Sequence, residues 1–327
     1  MTASCLVLGA CQEAPSSETT LWSDGEGVVV TAVSQPTETP MSRPTPAPFR
    51  VLAYVTSGIV PETILYDRLT HINYAFLIPN PDGTFAPFAN GWKLKKIVAD
   101  AHAADVEVLI SVGGWGWEKE FEMLAANPVS RAAFIKNLQA FVAEYELDGV
   151  DMDWEYPLPG ESAQNFLLLS QELRAAFPDK LLTTAVVSYG ANADGILSEA
   201  FPIYDTINVM TYDGAEHGTM QQFNAGLAYW QDRGVPPEKL VMGLPFYSRP
   251  NEVPYRKIVE SVPEAANTDT IDWNGTAEIY NGIPTIQEKT HLAIDNAGGI
   301  MFWTLEHDAL DDLSLLRAIS DIVAQTN

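Results

Sequence analysis

After Pro48 the chain settles into a repeating order that few architectures can use. Short, β-rich apolar runs alternate with stretches of helical period. The strand candidates are 50–55, 71–77, 107–112, 149–154, 181–188, 206–212, 240–246 and 299–304. The clearest helical patterns are 93–104, 131–146, 163–177, 220–234, 284–297 and 309–325. Strands that read as near-continuous apolar runs are buried on both faces, as in a parallel sheet covered by helices. Eight such units predict an α/β protein, a (β/α)8 TIM barrel built as one catalytic-sized domain over residues 49–327. An open doubly wound sheet is the competing arrangement, but no glycine-rich phosphate fingerprint follows the first strand.

The residues before the barrel obey other rules. Leu8-Gly9-Ala10-Cys11 resembles a bacterial lipobox, so residues 1–11 read as a truncated lipoprotein signal with Cys11 as the anchor. A basic leader and a full apolar stretch of about 7–15 residues are missing from it. Residues 12–48 are rich in Ser, Thr, Glu and Pro and predict a disordered linker, apart from the short run Val28-Val29-Val30. Together these segments imply an extracytoplasmic protein, secreted or held at the cell surface. No stretch has the roughly 18 apolar residues that a membrane-spanning helix needs. Cys5 and Cys11 are the only cysteines, which rules out a disulfide framework or cysteine zinc site in the body. The net charge of -25 is spread over scattered acids. It argues against a nucleic-acid partner, which needs basic stripes, and suits a neutral substrate better than an anionic one. A monomer is expected.

In such barrels chemistry sits at the C-terminal ends of the strands. Polar and aromatic residues collect there. Strand three ends in Ser111-Val112-Gly113-Gly114-Trp115, strand four in Asp151-Met152-Asp153-Trp154-Glu155-Tyr156, and strand six in Met210-Thr211-Tyr212-Asp213. Strand seven ends in Phe246-Tyr247-Ser248-Arg249, and strand eight in Trp303 followed by Glu306, His307 and Asp308. Asp151, Asp153 and Glu155 alternate, so they share one face, about 6.6 Å apart along the strand. Three carboxylates on one buried face are costly unless some are protonated or well hydrogen-bonded. A hard cation is one solution, though no histidine spacing supports a transition metal. Shared protons are another, with the outermost carboxyl kept neutral as a general acid.

Asp148-Gly149-Val150-Asp151-Met152-Asp153-Trp154-Glu155 matches the DxxDxDxE signature and resembles glycoside hydrolase family 18, the chitinase family. Ser111-Val112-Gly113-Gly114 is similar to the family's SxGG motif, Met210-Thr211-Tyr212-Asp213 to its MxYD motif, and Trp303 to its strand-eight tryptophan. The resemblance runs from Phe49 to the C-terminus. It implies that Glu155 protonates the glycosidic oxygen. It implies that Asp153 turns between Asp151 and the substrate acetamido group, which Tyr212 also supports. Asp213 would contact the sugar or the acid, Trp303 would floor the reacting sugar, and Ser111 would bond near Asp151. Tyr247 and Arg249 resemble the family's YxR ending, with Ser248 where glycine is common. Gly114, Trp115, Tyr54 and Phe76 complete the substrate-binding candidates. Trp117 and His307 are expected near the mouth without a definite role, and Asp148, His71 and Trp154 are read as structural.

The resemblance implies a hydrolase for chitin or a related β-1,4-linked N-acetylglucosamine polymer, retaining and substrate-assisted, with no cofactor and no metal. Only residues 250–283 separate strand seven from its helix, too few for the family's full insertion domain. A secreted bacterial type with an open groove and internal cutting is therefore expected. An endo-β-N-acetylglucosaminidase acting on glycoprotein or peptidoglycan is the alternative within the enzyme class. A sugar-binding lectin on the same barrel is the alternative outside it, although lectin-like members lose the proton donor and Glu155 is present.

Overall fold

The computed structural model describes residues 48–326, so the expected lipid signal at Cys11 and the linker up to residue 47 lie outside the described residues. Ten strands form among the described residues: β1 (Arg50–Thr56), β2 (His71–Leu77), β3 (Glu107–Trp115), β4 (Gly149–Glu155), β5 (Leu181–Val187), β6 (Thr206–Met210), β7 (Leu240–Pro245), β8 (Thr270–Trp273), β9 (Thr276–Ile279) and β10 (Gly299–Trp303). All but β8 and β9 close into a parallel barrel in the order β1-β10-β7-β6-β5-β4-β3-β2. The eight expected strands are the eight barrel strands. Eight helices are described: α1 (Gly91–His102), α2 (Glu118–Ala126), α3 (Pro128–Glu144), α4 (Glu161–Ala176), α5 (Met220–Asp232), α6 (Tyr255–Ser261), α7 (Ile283–Asn296) and α8 (Leu315–Thr326).

The departures from expectation have local causes. Helix α3 begins at Pro128, before the expected residue 131, because Asn127 caps it: its Oδ1 accepts Val129 N–H at 2.8 Å, and proline suits the first helical position. Helix α8 begins at Leu315, after the expected residue 309. The buried Asp308 carboxylate accepts the backbone N–H groups of Leu315 and Leu316 at 2.8 and 3.0 Å and the Ser314 hydroxyl at 2.7 Å. Asp308 thus caps a helix and does not belong to the barrel mouth. The β1–β2 and β5–β6 connections carry only 3-10 turns in place of a helix. Segment 250–283 is not a bare loop. It holds α6 and the β8–β9 hairpin, turned by Asn274 and Gly275, both at positive φ.

Two layers of core follow from strand alternation. Outward-pointing residues meet the helices: Trp154 is 1% exposed and stacks on Phe121 with centroids 5.1 Å apart. Truncating such a side chain costs about 3–5 kcal/mol. Inward-pointing residues fill the barrel, and there apolar Leu52, Val241 and Met301 share space with buried Asn73, Ser111, Asp151, Thr183 and Asn208. At the barrel base Asp148 accepts Val108 N–H at 2.7 Å and pairs with His102 Nε2 at 2.8 Å, in keeping with its structural reading. His71 sits at the same end, at the first position of β2, with its ring against the Thr70 hydroxyl at 2.7 Å.

Candidate active site

Register brings the site together. On β4, Asp151 lies level with Ser111 of β3 and Thr183 of β5, so three inward polar side chains meet in one layer. Asp151 is fully buried and takes four donors: Tyr54 Oη at 2.9 Å and Ser111 Oγ at 2.8 Å on Oδ2, Thr183 Oγ1 at 2.6 Å and Asn208 Nδ2 at 3.2 Å on Oδ1. Burial raises the proton affinity of this carboxyl, and the Thr183, Ser111 and Tyr54 hydroxyls work against that rise. The net effect is a raised pKa, which the hydroxyl donors limit by favouring the ionised form. Two of the donors, Thr183 and Asn208, escaped the sequence analysis. Their signal was a polar residue at an inward position of an otherwise apolar strand.

One step outward, Asp153 is 4% exposed and its Oδ1 has no hydrogen-bond partner among the described residues. Burial first, then the charges of Glu155 and Asp151, push its pKa well above the usual carboxylate range. Asn73, also fully buried, has no hydrogen-bond partner for either amide atom among the described residues. At the end of β4, Glu155 is partly exposed. Burial lifts its pKa to about 7, the adjacent Tyr156 opposes the rise, and the charge of Asp213 adds to it. The strand therefore grades from a satisfied carboxylate, through an unpaired one, to an outer carboxyl that holds a proton near neutrality.

The walls come from other strand ends. Tyr212 is buried, and its hydroxyl contact is a weak one to Met301 Sδ at 3.8 Å, so the O–H can turn to a ligand. Asp213, at φ 63, accepts Tyr247 Oη at 2.7 Å and Arg249 Nε at 2.8 Å. Burial would raise its pKa, but the hydrogen bonds reverse that and hold it near 2. His217 Nδ1 stands 3.6 Å from the same carboxylate yet accepts the Asp213 N–H at 3.0 Å, so Tyr247 and Arg249 carry that effect. Arg249 also pairs with Glu252. Trp303 lies at the end of β10, stacked on Phe76 with centroids 5.3 Å apart.

Several substrate-binding candidates sit deeper than the sequence analysis expects. Tyr54 is 2% exposed and bonds Asp151; its ring lies 5.9 Å from that of Trp303. Ser111 is fully buried beneath the carboxylates. Gly114, at φ 89, gives clearance: a Cβ there would fall 2.8 Å from the Phe76 ring. Trp115, by contrast, is 77% exposed and meets Tyr156 edge-on at 6.4 Å. Trp117 precedes α2 as its cap residue. His307 packs edge-on to Tyr247 at 6.3 Å and lines a cavity of about 590 Å³ between the β1 and β10 loops, which no residue of the acidic strand lines.

Residues 50–308 match the family described as "Glycosyl hydrolases family 18". Chitinase A1 of Niallia circulans is 29% identical over an alignment of 262 positions, which covers 66% of this chain and 34% of that protein. A crystal structure of a chitinase from Bacteroides thetaiotaomicron superposes with a TM-score of 0.76 at 28% identity, over 85% of this chain and 97% of that one. The GH18 chitinase ChiB from the chitin utilization locus of Flavobacterium johnsoniae gives a TM-score of 0.73 at 28% identity, over 85% and 95% of the two chains. The chain spans about a third of the length of the first curated relatives it matches.

Proposed function

Because the chain belongs to glycosyl hydrolase family 18, we propose that it hydrolyses β-1,4 linkages of N-acetylglucosamine in chitin or chito-oligosaccharides with retention of configuration. The observation that carries this reading is the gradient along β4, from Asp151 with four donors to Glu155 with a pKa near 7. The relatives named chitinases support the substrate class.

In this reading Glu155 donates its proton to the glycosidic oxygen as the bond to the anomeric carbon breaks. The acetamido oxygen of the same sugar attacks that carbon, so no enzyme carboxylate need act as nucleophile. Asp153 accepts the acetamido N–H with its unpaired oxygen, and Tyr212 donates its O–H to the acetamido group. Asp151 keeps its charge beneath them and stabilises the cationic ring that forms. Glu155, now ionised, takes a proton from water, and the water oxygen opens the ring from the face the leaving group left. Two inversions give net retention. Trp303 floors the sugar, and Trp115 offers a stacking face on the β3 side. The short 250–283 segment suits internal cutting, and action on an insoluble polymer fits a protein outside the cytoplasm, free or anchored at Cys11.

The test is substrate choice. N-acetylated chito-oligosaccharides should be cut, while fully deacetylated ones and cello-oligosaccharides of equal length should not. Proton NMR should show the β-anomer first. Rapid cleavage of cello-oligosaccharides or an initial α-anomer would refute the mechanism. Preference for high-mannose glycopeptide or peptidoglycan over chitin would replace the substrate.

A further inference from the structure

Glu278 is fully buried, and the chemistry above does not use it. It sits on β9, in the hairpin outside the barrel. A buried carboxylate without hydrogen bonds is costly, so the source of its donors shows what it holds. Among the described residues its donors all come from the loop after β7: Ser248 Oγ at 2.6 Å, Asn251 Nδ2 at 2.5 Å and Asn251 N–H at 3.2 Å. Backbone bonds lie alongside. Arg249 N–H donates to Ile279 O at 2.9 Å, and Ile279 N–H to Arg249 O at 2.8 Å. Ser248 Oγ in turn accepts Val253 N–H at 3.1 Å, which closes the loop on itself.

The residues on either side of Ser248 are the two that grip Asp213. Tyr247 and Arg249 point one way to that carboxylate, and Ser248 points the other way to Glu278. Fixing the middle residue therefore fixes both grips. Where the family commonly has glycine at this position, no side chain could make that bond. Ile271 and Trp273 of β8 pack half-buried against the core, and Glu278 is the hairpin's one fully buried side chain, tied to the loop after β7.

We propose that the β8–β9 hairpin is a brace for the end of β7, and that Ser248 and Glu278 form a latch that positions Tyr247 and Arg249 on Asp213. Both are positioning residues, acting through Asp213. The proposal rests on the hydrolase reading only in that activity is its convenient readout.

A double-mutant cycle tests it. Ser248→Ala should lower kcat on chito-oligosaccharides about tenfold, since small displacements far from the reacting atoms carry such losses. In an Asp213→Asn background the same change should cost less than twofold, because the group it positions is already disabled. Glu278→Gln should behave alike. If Glu278→Gln fails to fold, Ser248→Ala alone decides the matter. A general destabilisation would lower activity equally in both backgrounds, and that result overturns the proposal, as does an unaltered kcat in Ser248→Ala. If the wild-type enzyme cuts no chito-oligosaccharide, the functional reading fails separately. The latch is then judged by a crystal structure of Ser248→Ala: Arg249 displaced from Asp213 supports it, and Arg249 in place overturns it.

Discussion

Asp151 and Glu155 stand four residues apart on one strand, face the same interior and both have raised pKa values through burial, yet the protein supplies them with hydrogen-bond donors very differently. The lower layer surrounds its carboxylate with donors from β1, β3, β5 and β6. The upper layer leaves Asp153 with an unpaired oxygen and Glu155 with a raised proton affinity. Burial alone does not account for the difference, because Asp151 is the most deeply buried of the three. Donor supply does. The fold supplies donors to the inner carboxyl and withholds them from the outer two, the division of labour that the proposed mechanism asks for.

The sharpest way to break the contrast is at its outer end. Glu155→Gln keeps the shape and removes the transferable proton. Turnover on chito-oligosaccharides should fall by about 10²–10⁴-fold, the range for loss of a general acid. Binding measured by calorimetry should persist. Near-wild-type turnover would remove Glu155 from the proton-donor role.

Breaking the inner end should read out first as stability. Ser111→Ala with Thr183→Val removes two of the four donors and leaves the carboxylate buried. The expected loss in chemical denaturation is about 3–5 kcal/mol, the scale for stripping partners from a buried charge. If the double variant unfolds like the wild type, the layer is not holding a charge and the contrast collapses.

How far this site could be read in the sequence follows the same division. Alternation put Asp151, Asp153 and Glu155 on one face, and the structure keeps them there. The eight barrel strands were legible because a strand buried on both faces is almost wholly apolar. The donors were not. Thr183 and Asn208 become partners of Asp151 only through the register between β4, β5 and β6, and no local pattern encodes register between strands. Tyr54 was assigned to the cleft, where its chemistry would fit, but the turn of the barrel puts its hydroxyl under the acids. The hairpin was legible and missed: Asn274-Gly275 between alternating runs is a strong turn signal. The expected Cys11 anchor lies outside the described residues.

The smallest expected effect joins the two layers through pH. Glu155 has an ordinary pKa of 4.5 when the chain is unfolded and about 7 in the folded protein. Between those values the folded state binds more protons than the unfolded one. Stability must then fall as pH rises, because the slope of the unfolding free energy follows the protons bound unfolded minus those bound folded. The contribution is fully present below pH 4.5 and gone above about 7. Glu155→Gln cannot ionise, so it should match the wild type near pH 5 and exceed it near pH 8. A gain of roughly 1–2 kcal/mol is expected, since one pKa unit corresponds to about 1.4 kcal/mol and the neighbouring acids share the cost. Activity of the wild type should decline over the same rise in pH if, as proposed, the outer carboxyl donates the proton it then loses. Equal stability of the two proteins at pH 8 would mean that Glu155 pays nothing for its position, and the upper layer would then be as well satisfied as the lower.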